Sequence, residues 1–70
     1  MIEVTAPMGG KIIEIKVKAG DVVEEEQEVA IIEAMKMEMP ILTYSAGTVK
    51  EIKAQAGESV EADQVILLIE

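Results

Sequence analysis

Apolar residues recur along the chain in short runs of two kinds. "EVAIIE" (Glu28–Glu33) and "VILLIE" (Val65–Glu70) are nearly continuous, whereas "KIIEIKV" (Lys11–Val17) and "TVKEIKA" (Thr48–Ala54) alternate imperfectly. Alternation places every second side chain on one face of a strand, and a short unbroken run suits a strand covered on both sides. The pattern predicts strands at all four, with Ile13, Ile15 and Val17 turned to a common side. "AGD" and "AGE" follow the alternating runs, and Gly20 and Gly57 there predict turns with positive φ. Helix content is expected to be close to nil. Ala34–Met39 favours helix by propensity, but it is short, uncapped and closed by Pro40, so it is assigned to a turn between strands.

These runs are copies of one another. A shift of 37 residues lays Gly10–Glu33 on Gly47–Glu70 without a gap, and 11 of the 24 aligned positions are identical. Ile12/Val49, Asp21/Glu58, Val29/Ile66 and Ile31/Leu68 keep their character. An ungapped match of this length points to duplication, and two copies are too few for a solenoid. The expected fold is all-β: one domain over residues 1–70, with halves of about 1–35 and 36–70 related by a quasi-twofold axis. Two small sheets packed face to face, or a flattened barrel, satisfy that symmetry.

Composition decides what such a barrel is built from and what it avoids. Ten Ile, eight Val and three Leu against a single aromatic, Tyr44, require an aliphatic core rich in strand formers. Seventy residues lie near the lower limit for folding on a core alone. No Cys is present, which excludes disulfides and thiolate metal sites, and no His, which removes the usual general base at neutral pH. The formal net charge of −8 repels phosphate backbones and anionic lipid, so neither nucleic-acid nor membrane binding is expected. The longest aliphatic run, Val65–Ile69, is far short of a span, and nothing resembles a signal peptide; the expected location is cytoplasmic. No catalytic residue and no metal site is predicted. Glu24, Glu25, Glu26 and Glu28 lack the Asp/Asn-Gly spacing of a calcium loop and are expected to form a solvated turn.

One stretch is left unexplained by packing or turn chemistry. "EAMKMEMPI" (Glu33–Ile41) falls at the junction of the two copies and sets Lys36 between two methionines, with a third close behind. A hairpin joining the halves would hold Lys36 near its tip. Exposed methionines at such a tip cost solubility unless a partner reads them, and Met is common on adaptable binding surfaces. By alternation Met35, Met37 and Met39 would share one strand face and Lys36 the other, until a turn intervenes.

With these residues in view, the chain resembles the biotinyl domain of biotin carboxyl carrier proteins. The likeness runs from about Ile2 to the end and rests on "APMGGKI", "VKAGDVVE" and, above all, "EAMKMEMPI". It implies a flattened barrel of two four-stranded antiparallel sheets with the attachment lysine on an exposed hairpin. It further implies that a biotin–protein ligase joins Lys36 to the carboxyl of biotin through an amide. Met35 and Met37 would then be the flanking recognition residues, and Glu33 and Ala34 part of the same motif. In that family a biotin carboxylase loads the ureido nitrogen, and a carboxyltransferase or decarboxylase unloads it. The carrier supplies reach and a high local concentration rather than chemistry, which accords with the missing His and Cys.

The chain departs from the family pattern at several points. Gly9-Gly10 replaces the usual Pro-Gly, Glu26 and Asp63 occupy turn tips where Gly is common, and Met39-Pro40 stands where polar residues are usual. There is no room between Gly20 and Glu33 for the protruding thumb of some bacterial carriers. The likeness is therefore to thumbless domains of acyl-CoA and pyruvate carboxylases, decarboxylases and transcarboxylase, or to small biotin/lipoyl attachment proteins. No Ala/Pro-rich linker is present, leaving an excised domain or a complete small protein. Two other readings stay open: a lipoyl carrier, whose lysine typically follows Asp, and an unmodified barrel acting as an adaptor.

Overall fold

The computed structural model describes residues 1–70, and strands carry all of its regular structure. In chain order these are β1 (Ile2–Thr5), β2 (Gly10–Ile15), β3 (Val22–Val23), β4 (Glu28–Ala34), β5 (Met37–Leu42), β6 (Gly47–Ile52), β7 (Ser59–Val60) and β8 (Val65–Ile69). They form two four-stranded antiparallel sheets, ordered β1-β8-β6-β3 and β5-β4-β2-β7. Each sheet thus takes two strands from each copy of the repeat. Exchanging β1–β4 with β5–β8 converts one order into the other, which is the signature of a quasi-twofold axis.

The symmetry reaches individual hydrogen bonds. The Gly20 N–H donates to the Val49 carbonyl at 2.7 Å, and the Gly57 N–H donates to the Ile12 carbonyl at 2.7 Å. The Glu24 N–H donates to Gln27 Oε1 at 2.9 Å, and the Glu61 N–H to Gln64 Oε1 at 3.0 Å. Gly20 and Gly57 have φ of 97° and 93°, with open space where a Cβ would point, so backbone conformation alone calls for glycine there. Glu26 and Asp63 also match, at φ 67° and 68°.

Alternation fails in β2 and β6 for one shared reason. The register slips between Ile12 and Glu14 where β2 meets β4, and between Val49 and Glu51 where β6 meets β8. A bulge adds one residue to one side of the ladder, so two neighbours face the same way. Ile12 is therefore buried while Ile13 is 39% exposed, so Ile13 does not share the side of Ile15 and Val17 as expected. Ile12 takes the place of Ile13, and the half-buried Ile15 and buried Val17 complete the inward set. The core is one aliphatic cluster drawn from both sheets, with Ile12, Ile32, Ile66, Leu67 and Ile69 fully enclosed. Burying such side chains is worth about 1.5–3 kcal/mol each, the main force available to so short a chain. The buried Thr43 hydroxyl donates to the Ser45 carbonyl at 2.8 Å, and no buried side-chain polar atom lacks a partner.

A second correction concerns the segment after Lys36. The turn is shorter than expected: Met37–Leu42 forms strand β5, with Pro40 inside it opposite Ile31. Pro is tolerated because β5 is an edge strand, where a missing N–H leaves no ladder bond unmade.

Candidate functional site

The β4–β5 hairpin forms one end of the molecule. Ala34 pairs with Met37, leaving Met35 and Lys36 as a two-residue turn with φ of 53° and 65°. Two successive residues with positive φ define a type I′ turn, whose twist matches that of the flanking strands. Its usual occupants are Asn and Gly. Ordinary L-residues in the left-handed region cost roughly 1–2 kcal/mol each, so the two unbranched side chains here sit in a strained backbone. Twelve paired residues of β4 and β5 hold it in place.

Turning at Met35–Lys36 removes Met35 from the face expected to hold all three methionines, while Met37 and Met39, two apart in β5 with no bulge between them, keep it. Met35 lies on the turn itself and is 86% exposed. Met37 is 65% exposed, one pairing step from the tip. Met39 lies on the inward face with Ile41, half-buried against the core. Two methionines therefore flank the lysine in solvent and the third is a packing residue. Lys36 is exposed and takes part in none of the three ion pairs and in no side-chain hydrogen bond.

The remaining motif residues support the turn from below. Ala34 is buried at the base of the hairpin. Glu33 is exposed, in register with Lys11 of β2 on one side and Glu38 of β5 on the other. Facing like charges on adjacent strands repel mildly, and Lys11 offsets this within the same row. Gly10 belongs to the site although its local sequence pattern does not mark it. A Cβ there would fall on the Glu33 carbonyl oxygen and 3.2 Å from the Ala34 Cβ, so β2 reaches the hairpin base only without a side chain. The signal was present in the repeat, because Gly47 meets Glu70 and Ile69 in the same way.

None of the three surface depressions is lined by residues 33–37; the largest, about 610 Å³, lies over Ile2, Val65 and Leu68 on the other sheet. No three acidic residues come together as a cation cage. From Gly10 beside the hairpin, the chain runs to Gly20, bonded to Val49, which itself pairs with Ile69. The β4–β5 hairpin and the β1–β8 pair are thus symmetry counterparts, linked by β2 and the segment that follows it.

A family model described as "Biotin-requiring enzyme" matches residues 2–69. The chain belongs to the biotin/lipoyl family. It is 50% identical over 44 residues to a biotin/lipoyl attachment protein of Bacillus subtilis, an alignment covering 63% of this chain and 60% of that one. It is 51% identical over 43 residues to a biotin carboxyl carrier protein of Streptococcus mutans, covering 61% and 33% of the two chains. Among solved structures, the urea carboxylase of Kluyveromyces lactis superposes with a TM-score of 0.92 at 32% identity, over 99% of this chain and 6% of that one. A long-chain acyl-CoA carboxylase shares the fold at 20% identity, with a TM-score of 0.88 over 94% of this chain and 7% of that one. The matched relatives thus extend beyond the part aligned here, from three-fifths down to a few per cent of their own length. Within the biotin/lipoyl family, the two-sheet barrel and its hairpin are the shared part.

Proposed function

We propose that Lys36 is a site of covalent biotin attachment and that the chain acts as a carboxyl carrier for a biotin-dependent enzyme. The observation that carries this is the placement of an exposed, unpaired lysine on a two-residue turn, flanked by Met35 and Met37, at one end of the barrel. The residues suit the group: an accessible amine accepts an acyl chain without displacing a partner. Biotin would supply the ureido nitrogen that carries the carboxyl group. The chain supplies the rest: a stiff hairpin that presents the arm, thioethers that a ligase can read, and no cavity of its own at the lysine. A protruding arm without a pocket is serviced by the pockets of others. The partners that follow are a biotin–protein ligase, a biotin carboxylase and a carboxyltransferase or decarboxylase. The names of the Streptococcus mutans carrier protein and the Kluyveromyces lactis carboxylase support that reading.

Ligation of Lys36→Arg tests it. The guanidinium keeps the charge but is not a usable amine nucleophile. Streptavidin blotting of the ligase-treated variant should be blank while the parent chain is labelled, and a retained signal would sink the assignment. The Bacillus subtilis relative is named for both biotin and lipoyl attachment, so lipoylation of the same lysine is the second reading. Intact mass after exposure to each ligase separates the two adducts.

A further inference from the structure

Three kinds of methionine environment exist in this chain. Met35 and Met37 stand 86% and 65% exposed on either side of Lys36. Met1, 68% exposed, stands next to β1. Met8 and Met39 are half-buried, the latter packed on the core. Thioether oxidation follows access to the oxidant and converts a soft apolar group into a polar one. The chain contains no cysteine to compete for an oxidant.

We propose that Met35 and Met37 form a reversible oxidation site whose sulfoxides block modification of Lys36. The inference rests on the attachment reading above. Chemically, each sulfur attacks the outer oxygen of a hydroperoxide. The O–O bond breaks, an S–O bond forms, and the peroxide leaves as water or an alcohol. The sulfur is oxidised by two electrons and the peroxide is reduced by two. A thiol-dependent sulfoxide reductase reverses the step. Both side chains lie outside the core, so oxidation leaves the barrel folded and changes only the surface around the lysine. A ligase that buries two thioethers against its own surface would have to desolvate two sulfoxides instead. That penalty predicts a loss of ligation of about tenfold or more.

The test uses the full apo chain, titrated with hydrogen peroxide and quenched before a biotin–protein ligase is added. Peptide mapping should show added oxygen first at Met1, Met35 and Met37, and later at Met8 and Met39. The thermal transition should stay in place while biotin incorporation falls, and sulfoxide reductase should restore it. A Met35→Leu/Met37→Leu double variant should keep its own untreated ligation rate after peroxide, which separates the hairpin from Met1. Equal oxidation of all five methionines, or a fully oxidised hairpin ligated at the untreated rate, overturns the inference alone. An untreated chain that never takes biotin overturns the attachment reading and this inference with it.

Discussion

Two strand pairs of the barrel share the same pairing and differ in what joins them. In one, β4 passes into β5 through Met35 and Lys36; in the other, β1 lies beside β8 in the equivalent register. Ile2 faces Ile69 just as Met39 faces Ile32, and both pairs of strands slip register one step before their far ends. The β1–β8 ladder forms without any turn between its strands. The same pairing geometry therefore forms with and without a turn between its strands. A Met-Lys pair at positive φ stands where Asn-Gly would relax the backbone, so this turn holds strain that the β1–β8 pair does not.

That equivalence can be broken first in the core. Ile32 and Ile69 are fully buried symmetry mates. Each truncated to Ala should lose about 2–5 kcal/mol, enough to unfold a large fraction of so small a domain. Urea melts should rank the two losses alike, and a gap greater than about 1 kcal/mol would mean that the two strand pairs are not energetically equivalent.

Glycine positions sharpen the contrast between the two pairs. Gly10→Ala and Gly47→Ala both drive a methyl group against backbone, at Glu33 and at Glu70. Each should cost about 1–3 kcal/mol by overpacking, read as a shift in denaturation midpoint. Only Gly10→Ala should also slow biotin ligation at a temperature where both variants are folded, because only it disturbs the base of the hairpin. Equal slowing would detach the hairpin base from recognition.

The turns at Glu26 and Asp63 offer a smaller effect of opposite sign. Both residues have positive φ, and their N–H groups donate to the Thr43 and Ala6 carbonyls. Asp visits the left-handed region with less strain than Glu, because its short side chain bonds locally. Glu26→Gly should raise stability by roughly 0.5–1.5 kcal/mol after the greater freedom of Gly in the unfolded chain is discounted. Asp63→Gly should raise it less, and the reverse order in paired thermal melts would refute the strain argument. Smallest of all, Met35→Leu with Met37→Leu should move stability by no more than about 0.5 kcal/mol, as exposed positions do. A collapse of the transition would show that these side chains hold the barrel together.

Much of this was legible in local sequence. Repetition at 37 residues announced the twofold, the glycines at 20 and 57 marked turns, and Lys36 stood out because it fell between the copies in an apolar setting. These are short-range signals, carried by a residue's own backbone preference or by its spacing from a twin. Which strands share a sheet was not legible, since β1 and β3 of one copy pair with β8 and β6 of the other across long stretches of chain. Nor were the bulges, which set Ile12 inside and Ile13 outside although both are isoleucine. The methionines show the same limit: β4–β5 pairing took Met35 off the strand and onto the turn, and Met37, on the same face as Met39, pairs with Ala34 beyond the core cluster and stays in solvent. Side-chain facing in a strand has a period of two, so a single inserted residue or a turn one position earlier reverses it. Only the assembled ladder decides where that happens.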